Sequence, residues 1–355
     1  MHPGRCEDLA KSLPPVQSLL GVHVLPFPQE LVLARSVQLL PAAGALPGGC
    51  VYEPKFDGYR ALLFVDDGTC RIQSRRRHDI TASFPDVAAA ACNQLPSGLV
   101  LDGELVVWVD DRREFSELQQ RLASATEAGL LAHEKPATFV AYDLLCVEAR
   151  DVRTNPLRDR RATLEDVLPE FGQILQLTPQ TGDRSEAESW MADYEAGRVD
   201  GLEGVVAKGA AQSYRPGKRD WLKIRVQDTL EVVVGAITGP LTAPDRLVLG
   251  QYDATGQLVI IGGTDSLGGR ERRLVAPLLH LPKNSHPWPS EIAVDRLGHW
   301  AGGRQLITRV DPTLVVEVSV DDTADPEDSQ PIAEFVRARP DLAAEETEVV
   351  RVARR

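Results

Sequence analysis

A charged octet at residues 53–60 (EPKFDGYR) lies between two apolar segments that alternate like β-strands. Whatever the fold, it must present an amine, a carboxylate and a guanidinium close to the end of a strand. A lysine attacks as a nucleophile only when it is deprotonated, which requires neighbouring cations or desolvation. Arg60 can bind a phosphate or a carboxylate through two parallel hydrogen bonds, and Gly58 permits a close backbone approach. Taken alone, the octet could also be a solvated charged turn.

The residues after the octet predict a hairpin. Tyr59 to Val65 and Thr69 to Ser74 have the composition of its two strands. The connection Asp66-Asp67-Gly68 favours a tight turn, because Asp and Gly tolerate positive φ. Lys55 is then expected where one strand ends, and Arg75 where the hairpin ends.

Composition limits the class of protein. The 355 residues are enough for about two domains, and 43% hydrophobic with 26% charged residues are typical of a soluble globular protein. No apolar run approaches the roughly 18 residues of a membrane span, and the start of the chain has no signal-peptide pattern. Five scattered cysteines without a C-x-x-C pair indicate neither a zinc site nor a disulfide framework, which predicts a reduced, cytoplasmic setting.

The distribution of charge predicts an anionic ligand held at one place. A net charge of -13 argues against a general polyanion binder, whose affinity comes from clustered cations. However, residues 208–225 contain six cations and one acid, a net +5, and residues 71–77 contain four arginines. Two basic tracts in an acidic chain indicate either a confined anionic ligand or a narrow groove that follows one nucleic-acid strand.

Two apolar strands carry groups that need an explanation. Asp102 and Glu104 interrupt the strand Leu99 to Val109, where carboxylates are costly unless they are paired, hydrogen-bonded or bound to a metal. Tyr142 lies in the strand Thr138 to Cys146, where a lone aromatic residue usually belongs to the core.

Two later strands carry the cations of the first basic tract. Glu203 stands at the mouth of one strand and Lys208 at its end. In the strand Trp221 to Arg225, Lys223 and Arg225 alternate with apolar residues and therefore share one face. Two cations that face the same way in apolar surroundings need an anion opposite them.

The chain divides near Asp228, where short strands separated by turns begin. About five strands and one helix near residues 270–279 fit a small barrel, of which the oligonucleotide-binding (OB) fold is the commonest. We expect a flexible leader at 1–29, a first domain at 30–227, and a barrel with a C-terminal tail at 228–355. In the first domain, helices are expected near residues 84–94, 115–123, 157–168 and 185–197.

Six motifs, in this order and spacing, resemble those of the covalent nucleotidyltransferase superfamily, and within it the ATP-dependent DNA ligases. The motifs are Lys55-Phe56-Asp57-Gly58-Tyr59-Arg60, Ser74-Arg75-Arg76-Arg77, Asp102-Gly103-Glu104, Tyr142-Asp143, Glu203 to Lys208, and Trp221 to Arg225. In its length, the chain is most similar to the short bacterial ligases of the LigC type. The resemblance implies an α+β fold. An ATP-grasp-like nucleotidyltransferase domain of antiparallel sheets with flanking helices would be followed by an all-β OB-fold barrel.

The same resemblance implies the chemistry. Lys55 would be the catalytic residue, attacking the α-phosphate of ATP and carrying AMP as a phosphoramidate. Lys208 and Lys223 would bind that phosphate. Glu203, together with Glu104, would hold Mg²⁺ or Mn²⁺, since hard cations prefer oxygen ligands and phosphate partners.

Further roles follow from the resemblance. Glu53 would contact the adenine amino group, Arg60 and Glu104 the ribose, and Tyr142 would stack on the base. Arg75 would hold the 5′-phosphate of a nick. Arg225 completes the nucleotide-binding set, and the supporting residues are Asp57, Gly58, Asp102, Arg339 and Asp341.

Two positions depart from the family pattern. Arg77 stands where the second motif usually has glycine, which leaves the loop geometry there open. The C-terminal motif R-x-D-K reads Arg339-Pro340-Asp341-Leu342, with leucine in place of the lysine thought to orient the pyrophosphate. The first step is therefore expected to be slower, or to rely more on Arg337 and Arg339.

The predicted function is that of an ATP-dependent DNA ligase that seals nicks in duplex DNA, with a role in DNA repair. The expected partners are nicked double-stranded DNA and repair or end-joining proteins. We expect a cytoplasmic, nucleoid-associated monomer without a membrane partner. An RNA ligase, an RNA capping guanylyltransferase and a non-catalytic nucleic-acid-binding relative remain as alternatives.

Overall fold

The computed structural model describes most of the chain after residue 24. The described residues are 25–109, 112–113, 115–123, 127–168, 172–196, 202–225, 229–253, 255–293, 297, 303–320 and 333–347. Residues 1–24, which make up most of the predicted leader, lie outside them, as does the predicted domain boundary at Asp228.

Strands dominate the first part of the chain, as the alternating apolar pattern predicts. They are β1 (Leu33–Ser36), β2 (Cys50–Phe56), β3 (Tyr59–Asp66), β4 (Thr69–Ser74), β5 (Leu99–Val109), β6 (Arg112–Arg113), β7 (Ala137–Val147), β8 (Arg150–Asp151), β9 (Leu175–Leu177), β10 (Leu202–Gly209) and β11 (Arg219–Arg225). The helices are α1 (Pro85–Gln94), α2 (Phe115–Ala123), α3 (Ala128–Glu134), α4 (Leu157–Val167) and α5 (Arg184–Glu195), with a 3₁₀ turn at Thr81–Ser83.

These strands form two sheets. The larger sheet has the order β4-β3-β5-β7-β8, with β6 beside β5 and β9 beside β7. The smaller sheet has the order β1-β11-β10-β2. Most neighbours are antiparallel, whereas β1 with β11 and β7 with β9 are parallel.

The two sheets pack face to face, and helices cover their outer faces. Between the sheets lies an apolar cluster that contains Leu62 and Phe64 of the larger sheet and Trp221 of the smaller one. Helices α1, α2 and α4 pack on the outer face of the larger sheet, and α5 packs on the smaller sheet. Mixed sheets with flanking helices place this part of the chain in the predicted α+β class.

The predicted hairpin and the four predicted helices are confirmed. The turn between β3 and β4 places Asp67 at φ 48° and Gly68 at φ 73°, which explains its Asp-Gly sequence. The short elements α3 and β9 were not predicted, because three to seven residues hold too little periodicity to be recognised.

Residues just before β1 pack on the larger sheet, although the sequence assigned them to the leader. The ring of Phe27 lies edge-on to that of Phe64, with centroids 5.2 Å apart. The backbone amide of Gln29 donates to Gln73 Oε1, and Gln73 Nε2 donates back to the Gln29 carbonyl, both at 2.7 Å. The described part of the predicted leader is thus tied to the domain.

Strands also dominate the second part of the chain. They are β12 (Thr229–Thr238), β13 (Arg246–Tyr252), β14 (Leu258–Gly263), β15 (Glu291–Ala293), β16 (Arg304–Leu306), β17 (Thr308–Arg309), β18 (Val315–Val320) and β19 (Ala333–Arg339). One helix, α6 (Gly269–Val275), follows β14, and 3₁₀ turns lie at Ala276–Leu278 and Ala344–Glu346. Within the described residues, none of the helices is long and apolar enough to cross a membrane.

The sheet of the second part curls toward closure. Its order is β14-β13-β12-β18-β19, with β17 beside β12. A parallel bridge joins Thr264, just after β14, to Ala333 at the start of β19. The Asp265 amide donates to the Ala333 carbonyl at 3.1 Å. The two ends of the strand order therefore meet, which gives a small barrel.

Leu342, the residue that departs from the C-terminal motif, is a core residue of this barrel. Its side chain is 2% exposed and packs in an apolar cluster with Trp288 and Ile292. A lysine at this position would place an ammonium in apolar surroundings, which is costly without a partner. The leucine therefore follows from its location in the core.

A buried ion pair ties α4 to the larger sheet. Arg160 Nε and Nη2 contact the two carboxylate oxygens of Asp143 at 2.7 and 2.8 Å, and both side chains are at most 1% exposed. Arg160 Nη1 donates to the Asn155 and Gln212 carbonyls. The aspartate of the Tyr142-Asp143 motif therefore has a structural partner.

We expect Asp143→Asn to lower the free energy of unfolding by about 3–5 kcal/mol, because it leaves a buried guanidinium without its counter-charge. Chemical denaturation measures the effect. The matched control is Asp159→Asn on α4, the helix that carries Arg160. The ion pair of Asp159 with Arg158 is more than half exposed and should contribute less than about 1 kcal/mol. Equal losses in the two variants would contradict a structural role for the buried pair.

Candidate active site

A cleft between the two sheets faces the barrel. Strands β2, β3, β5, β7, β10 and β11 contribute to its walls, together with β12 and the end of β19. Eleven of the residues that the sequence analysis assigned to the site line it: Glu53, Lys55, Arg60, Arg75, Glu104, Tyr142, Lys208, Lys223, Arg225, Arg339 and Asp341. Motifs up to nearly 300 residues apart in sequence therefore meet at one place.

The register of three strands positions the cations at the mouth of the cleft. In the smaller sheet, Lys55 on β2 lies opposite Gly204 on β10, and Gly204 lies opposite Arg225 on β11. Gly204 has φ 148°, and a Cβ there would lie 1.9 Å from the Ile224 carbonyl oxygen. Only glycine fits this position, so Lys55 and Arg225 flank a strand that carries no side chain between them.

Glu203 supplies the counter-charge for Lys55. The Lys55 ammonium forms an ion pair with Glu203 Oε2, and the other carboxylate oxygen of Glu203 pairs with Arg337. Burial acts to raise the pKa of the Glu203 carboxyl, but Lys55, Arg225 and Arg339 outweigh it, and the net shift is downward. Glu203 is therefore a carboxylate fixed next to the lysine.

Glu53 lines the cleft and pairs with a lysine that lies beside two aromatic rings. Its carboxylate pairs with Lys208 Nζ at 2.6 Å and accepts a hydrogen bond from Gln180 Nε2 at 2.8 Å. Lys208 Nζ lies 4.4 Å from the Tyr142 ring centroid and 4.1 Å from that of Trp221. Lys208, which the resemblance assigns to the α-phosphate, is thus 1% exposed and paired with Glu53 in this structure.

Arg60 is anchored on the wall of the cleft. It donates to both carboxylate oxygens of Asp102, at 3.0 and 2.6 Å, and to the Val32 carbonyl at 2.6 Å. The Tyr214 hydroxyl also donates to Asp102, at 2.8 Å. The Arg60 guanidinium lies 4.8 Å from the Trp221 ring centroid. Asp102 is therefore satisfied as a buried carboxylate, and its role is to orient Arg60.

Gly58 and Asp57 act through neighbouring residues. A Cβ on Gly58 would lie 2.3 Å from the Leu105 carbonyl oxygen, so the backbone of the octet can approach β5 only with glycine here. Asp57 forms an ion pair with Arg337 of β19. Arg337 also contacts Glu317 Oε2 at 2.7 Å. The octet is thus connected to the barrel through a guanidinium.

The cations of β11 meet carboxylates of the barrel. Lys223 Nζ lies 3.4 Å from Glu231, and Arg225 pairs with the same carboxylate. Arg339 donates to both oxygens of Asp341, at 2.9 and 2.8 Å, and its Nη1 lies 3.5 Å from Glu231. The arginine and aspartate of the C-terminal motif therefore face the cleft as a pre-formed pair.

The arginine loop after β4 is tightly turned. Arg77 has φ 64°, the left-handed conformation that the family's usual glycine would adopt without strain. Its amide donates to the Ser74 carbonyl at 2.8 Å. Arg75 lines the cleft, and Arg76 Nη1 donates to the Pro340 carbonyl at 3.1 Å. The turn is therefore kept although Arg77 stands in place of the usual glycine.

Sequence reasoning gave no site role to Gln180, Trp221, Glu231 or Glu317. Trp221 carried a signal, because it lies two and four residues before the two cations of its strand and therefore shares their face. Glu231 and Glu317 are isolated acids in apolar strands, the same signal that identified Asp102. Gln180 lies outside the strands and helices and carried no recognisable signal.

Two carboxyl groups at the cleft could bind a metal ion, those of Glu104 and Glu203. Among the described residues, no three His, Cys, Asp or Glu side chains are arranged to hold a metal ion. Glu104 and Glu203 both interact electrostatically with Lys55. Two carboxylates beside cations that can hold phosphate suit Mg²⁺, which is usually bound by one or two carboxylates and substrate phosphates.

Comparison with known proteins identifies the family. A family model described as the ATP dependent DNA ligase domain matches residues 32–225. The chain therefore belongs to the ATP-dependent DNA ligases, as the motifs predicted. DNA ligase C2 of Mycolicibacterium smegmatis is 35% identical over 346 residues, which are 92% of this chain and 94% of that protein. DNA ligase C of Mycobacterium tuberculosis is 33% identical over 342 residues, 91% of this chain and 92% of that protein.

A solved structure supports the same assignment. A mycobacterial DNA ligase D complexed with ATP and MES is 28% identical, with a TM-score of 0.53. The match covers 89% of this chain and 98% of that one. The predicted similarity to ligases of the LigC type is confirmed by the mycobacterial relatives, and these matches favour a DNA ligase over the RNA-directed alternatives.

The buried carboxyl group of Glu104 should make the stability of the protein depend on pH. Desolvation raises its pKa from 4.5 to about 8, although Lys55, Arg339 and Arg60 act to lower it. Between these two values the folded protein holds a proton that the unfolded chain releases, so stability from this group falls as pH rises. We expect Glu104→Gln to remove that part of the pH dependence. From pH 5 to pH 8, the Tm of the variant should rise relative to that of the wild type. Parallel curves of Tm against pH would contradict the raised pKa of Glu104.

Proposed function

We propose that this protein performs ATP-dependent DNA ligation with Lys55 as the nucleophile. The Lys55–Glu203 ion pair at the mouth of a cleft lined with cations is the observation that carries the proposal. A lysine held between a carboxylate and phosphate-binding cations is oriented toward a phosphorus atom bound there. Its amine would form a P–N bond with the α-phosphorus of ATP, and pyrophosphate would leave.

The cations of β11 would bind the reacting phosphate. Lys223 and Arg225 share one face of β11, and Arg339 approaches from the barrel. Fixed cations that surround the α-phosphate stabilise the charge that develops during transfer, without reorganisation of solvent. In this proposal Arg339 and Asp341 act in the first step only, since they belong to the barrel. Arg337 was expected to substitute for the motif lysine that Leu342 replaces. It would act indirectly, through its ion pair with Glu203.

The deep end of the cleft would hold the nucleoside. Tyr142 offers a ring for stacking, and Glu53 offers an acceptor for the adenine amino group. Arg60 and Glu104 would contact the ribose. Lys208 would act as the counter-ion of Glu53 as well as a phosphate ligand, because its ammonium lies at that carboxylate.

Glu203 and Glu104 would hold Mg²⁺ or Mn²⁺ in this proposal. The ion would neutralise part of the charge on the phosphate oxygens. The chain itself contributes the oriented amine and the phosphate-binding cations, so the metal complements charges that the protein already positions.

Sealing would follow in two further transfers. An oxygen of the 5′-phosphate at a nick, held by Arg75, attacks the phosphorus of the lysyl-AMP, and the P–N bond breaks. The 3′-hydroxyl then attacks the 5′-phosphorus, forms the phosphodiester and expels AMP. Nicked duplex DNA is the proposed substrate. A role in repair, a monomeric state and a cytoplasmic, nucleoid-associated location belong to the same proposal.

The domain division is part of the proposal. Residues 30–227 would form the nucleotidyltransferase domain, with the ATP-grasp-like character expected from the family. Residues 228–355 would form an OB fold, a five-stranded and partly open barrel. The strand order β14-β13-β12-β18-β19, the Thr264–Ala333 bridge and helix α6 support this assignment. Movement of the barrel would expose the cleft to the nick.

Lys55→Ala should abolish formation of the protein–AMP adduct, by more than about a thousandfold, because the attacking nitrogen is removed. Incubation with α-labelled ATP and Mg²⁺, followed by gel electrophoresis and an acid-lability test, measures it. The matched control is Lys218→Ala, which removes an exposed lysine of the basic tract 208–225 and should leave the label unchanged. Label that persists in Lys55→Ala would overturn the assignment of the nucleophile.

Arg75→Ala should reduce nick sealing much more than formation of the protein–AMP adduct. Loss of one charge-assisted hydrogen bond to phosphate, about 1.5–3 kcal/mol, predicts sealing slower by about ten- to a hundredfold. A single-turnover assay that starts from the adenylated enzyme and nicked duplex separates the two steps. Arg71→Ala, in the same tract but about half exposed, serves as the control. Equal losses in both steps would contradict a role at the nick.

A further inference from the structure

Glu231 lies among the cations of the cleft although it belongs to the barrel. Its side chain is 10% exposed and lines the cleft. The carboxylate contacts Lys223 Nζ at 3.4 Å, pairs with Arg225, and lies 3.5 Å from Arg339 Nη1. One carboxylate therefore contacts three cations that come from two different parts of the chain.

The strand register commits Glu231 to this position. Strands β12 and β18 pair so that Glu231 lies directly opposite Glu317. Two carboxylates opposite each other on neighbouring strands repel and are destabilising. Arg225 contacts both of them, and Arg339 lies within 3.7 Å of both. The cations around the acidic pair of the barrel therefore stabilise it.

The charge of Glu231 is held firmly by its surroundings. Burial acts to raise the pKa of its carboxyl, but Lys223, Arg225 and Arg339 outweigh it and hold the pKa well below its usual range. Carboxylate and phosphate oxygens accept the same charge-assisted hydrogen bonds from Lys and Arg. The carboxylate therefore occupies the cations that a phosphate group would need as its ligands.

We propose that Glu231 is an internal competitor of the ATP phosphates, so that nucleotide binding exchanges one anion for another at Lys223 and Arg225. This inference rests on the proposed function, since it takes these two residues as phosphate ligands. Glu231 then determines the affinity for ATP without touching the nucleoside.

The exchange also couples nucleotide binding to the barrel. Lys223 and Arg225 belong to β11 of the first part, whereas Glu231 belongs to β12 of the second. When phosphate oxygens take over the two cations, Glu231 of the barrel loses its ion pairs with β11. Arg337 of the barrel keeps its ion pairs with Asp57 and Glu203, so the barrel stays in place for the first step while its contacts with β11 are exchanged for phosphate contacts.

The test measures nucleotide affinity without chemistry. Isothermal titration calorimetry with α,β-methylene-ATP and Mg²⁺ avoids transfer of AMP, and the full chain is used. If the carboxylate occupies the cations about 90% of the time, Glu231→Gln should bind the analogue about tenfold more tightly, because apparent affinity scales with the competent fraction. The control is Glu334→Gln on β19, an exposed site with the same change of net charge, whose affinity should stay at the wild-type value.

Unchanged or weaker affinity in Glu231→Gln, at an unchanged Tm, overturns the proposal. If that variant does not fold, Glu231→Asp decides, since it keeps the charge but withdraws the carboxylate by one methylene. It should bind the analogue more tightly than wild type, and a wild-type affinity overturns the inference. A wild type that forms lysyl-AMP while neither variant gains affinity refutes the role of Glu231 alone. A wild type that neither binds the analogue nor forms the adduct refutes the proposed function as well.

Discussion

The pairing of β2, β10 and β11 around Gly204 is the constraint on which the cleft depends. Backbone hydrogen bonds bring Lys55 and Arg225 to opposite sides of one glycine, although like charges at such a distance repel. Glu203, adjacent to that glycine in sequence, compensates the repulsion with a carboxylate. Strand register therefore places an amine in a strongly positive environment, and one acid keeps that arrangement stable.

Charge compensation in this protein crosses between its two parts in both directions. Cations of β11 are matched by Glu231 and Glu317 of the barrel, whereas Asp57 and Glu203 are matched by Arg337 of the barrel. This reciprocity explains how an acidic chain can concentrate cations at one site. The excess of acid includes the groups that hold those cations in place.

Much of the fold was predictable because its periodicity is local. The β3–β4 hairpin follows from alternation and an Asp-Gly turn, and α1 and α4 follow from their apolar spacing. The location of Lys223 in the cleft was predictable because a cation in an apolar strand is costly without an anion opposite it. The location expected for Lys55 came from the six motifs taken together, since its charged octet could also have been a solvated turn. Sequence periodicity shows which residues share a face, and the motifs suggested that those faces converge.

The remaining features depend on long-range pairing, which periodicity does not encode. Strand β19 follows an acidic segment and mixes charged with apolar residues, so its sequence did not identify it as a strand. The contact between Arg337 of this strand and Glu203 was therefore not predicted. The depth of Lys208 depends on how far the two sheets enclose it. The core position of Leu342 depends on Trp288, more than 50 residues earlier in the sequence.

Charged side chains lie on both sides of the surface at which the barrel meets the nucleotide-binding part. An apolar interface would expose hydrocarbon to water when it opened, at a cost proportional to its area. Carboxylates, ammonium groups and guanidinium groups regain hydration instead, and dissolved ions screen those nearest the solvent. The two parts can therefore separate without exposing an apolar surface that would promote aggregation. The ionic strength then determines how strongly the two parts are held together.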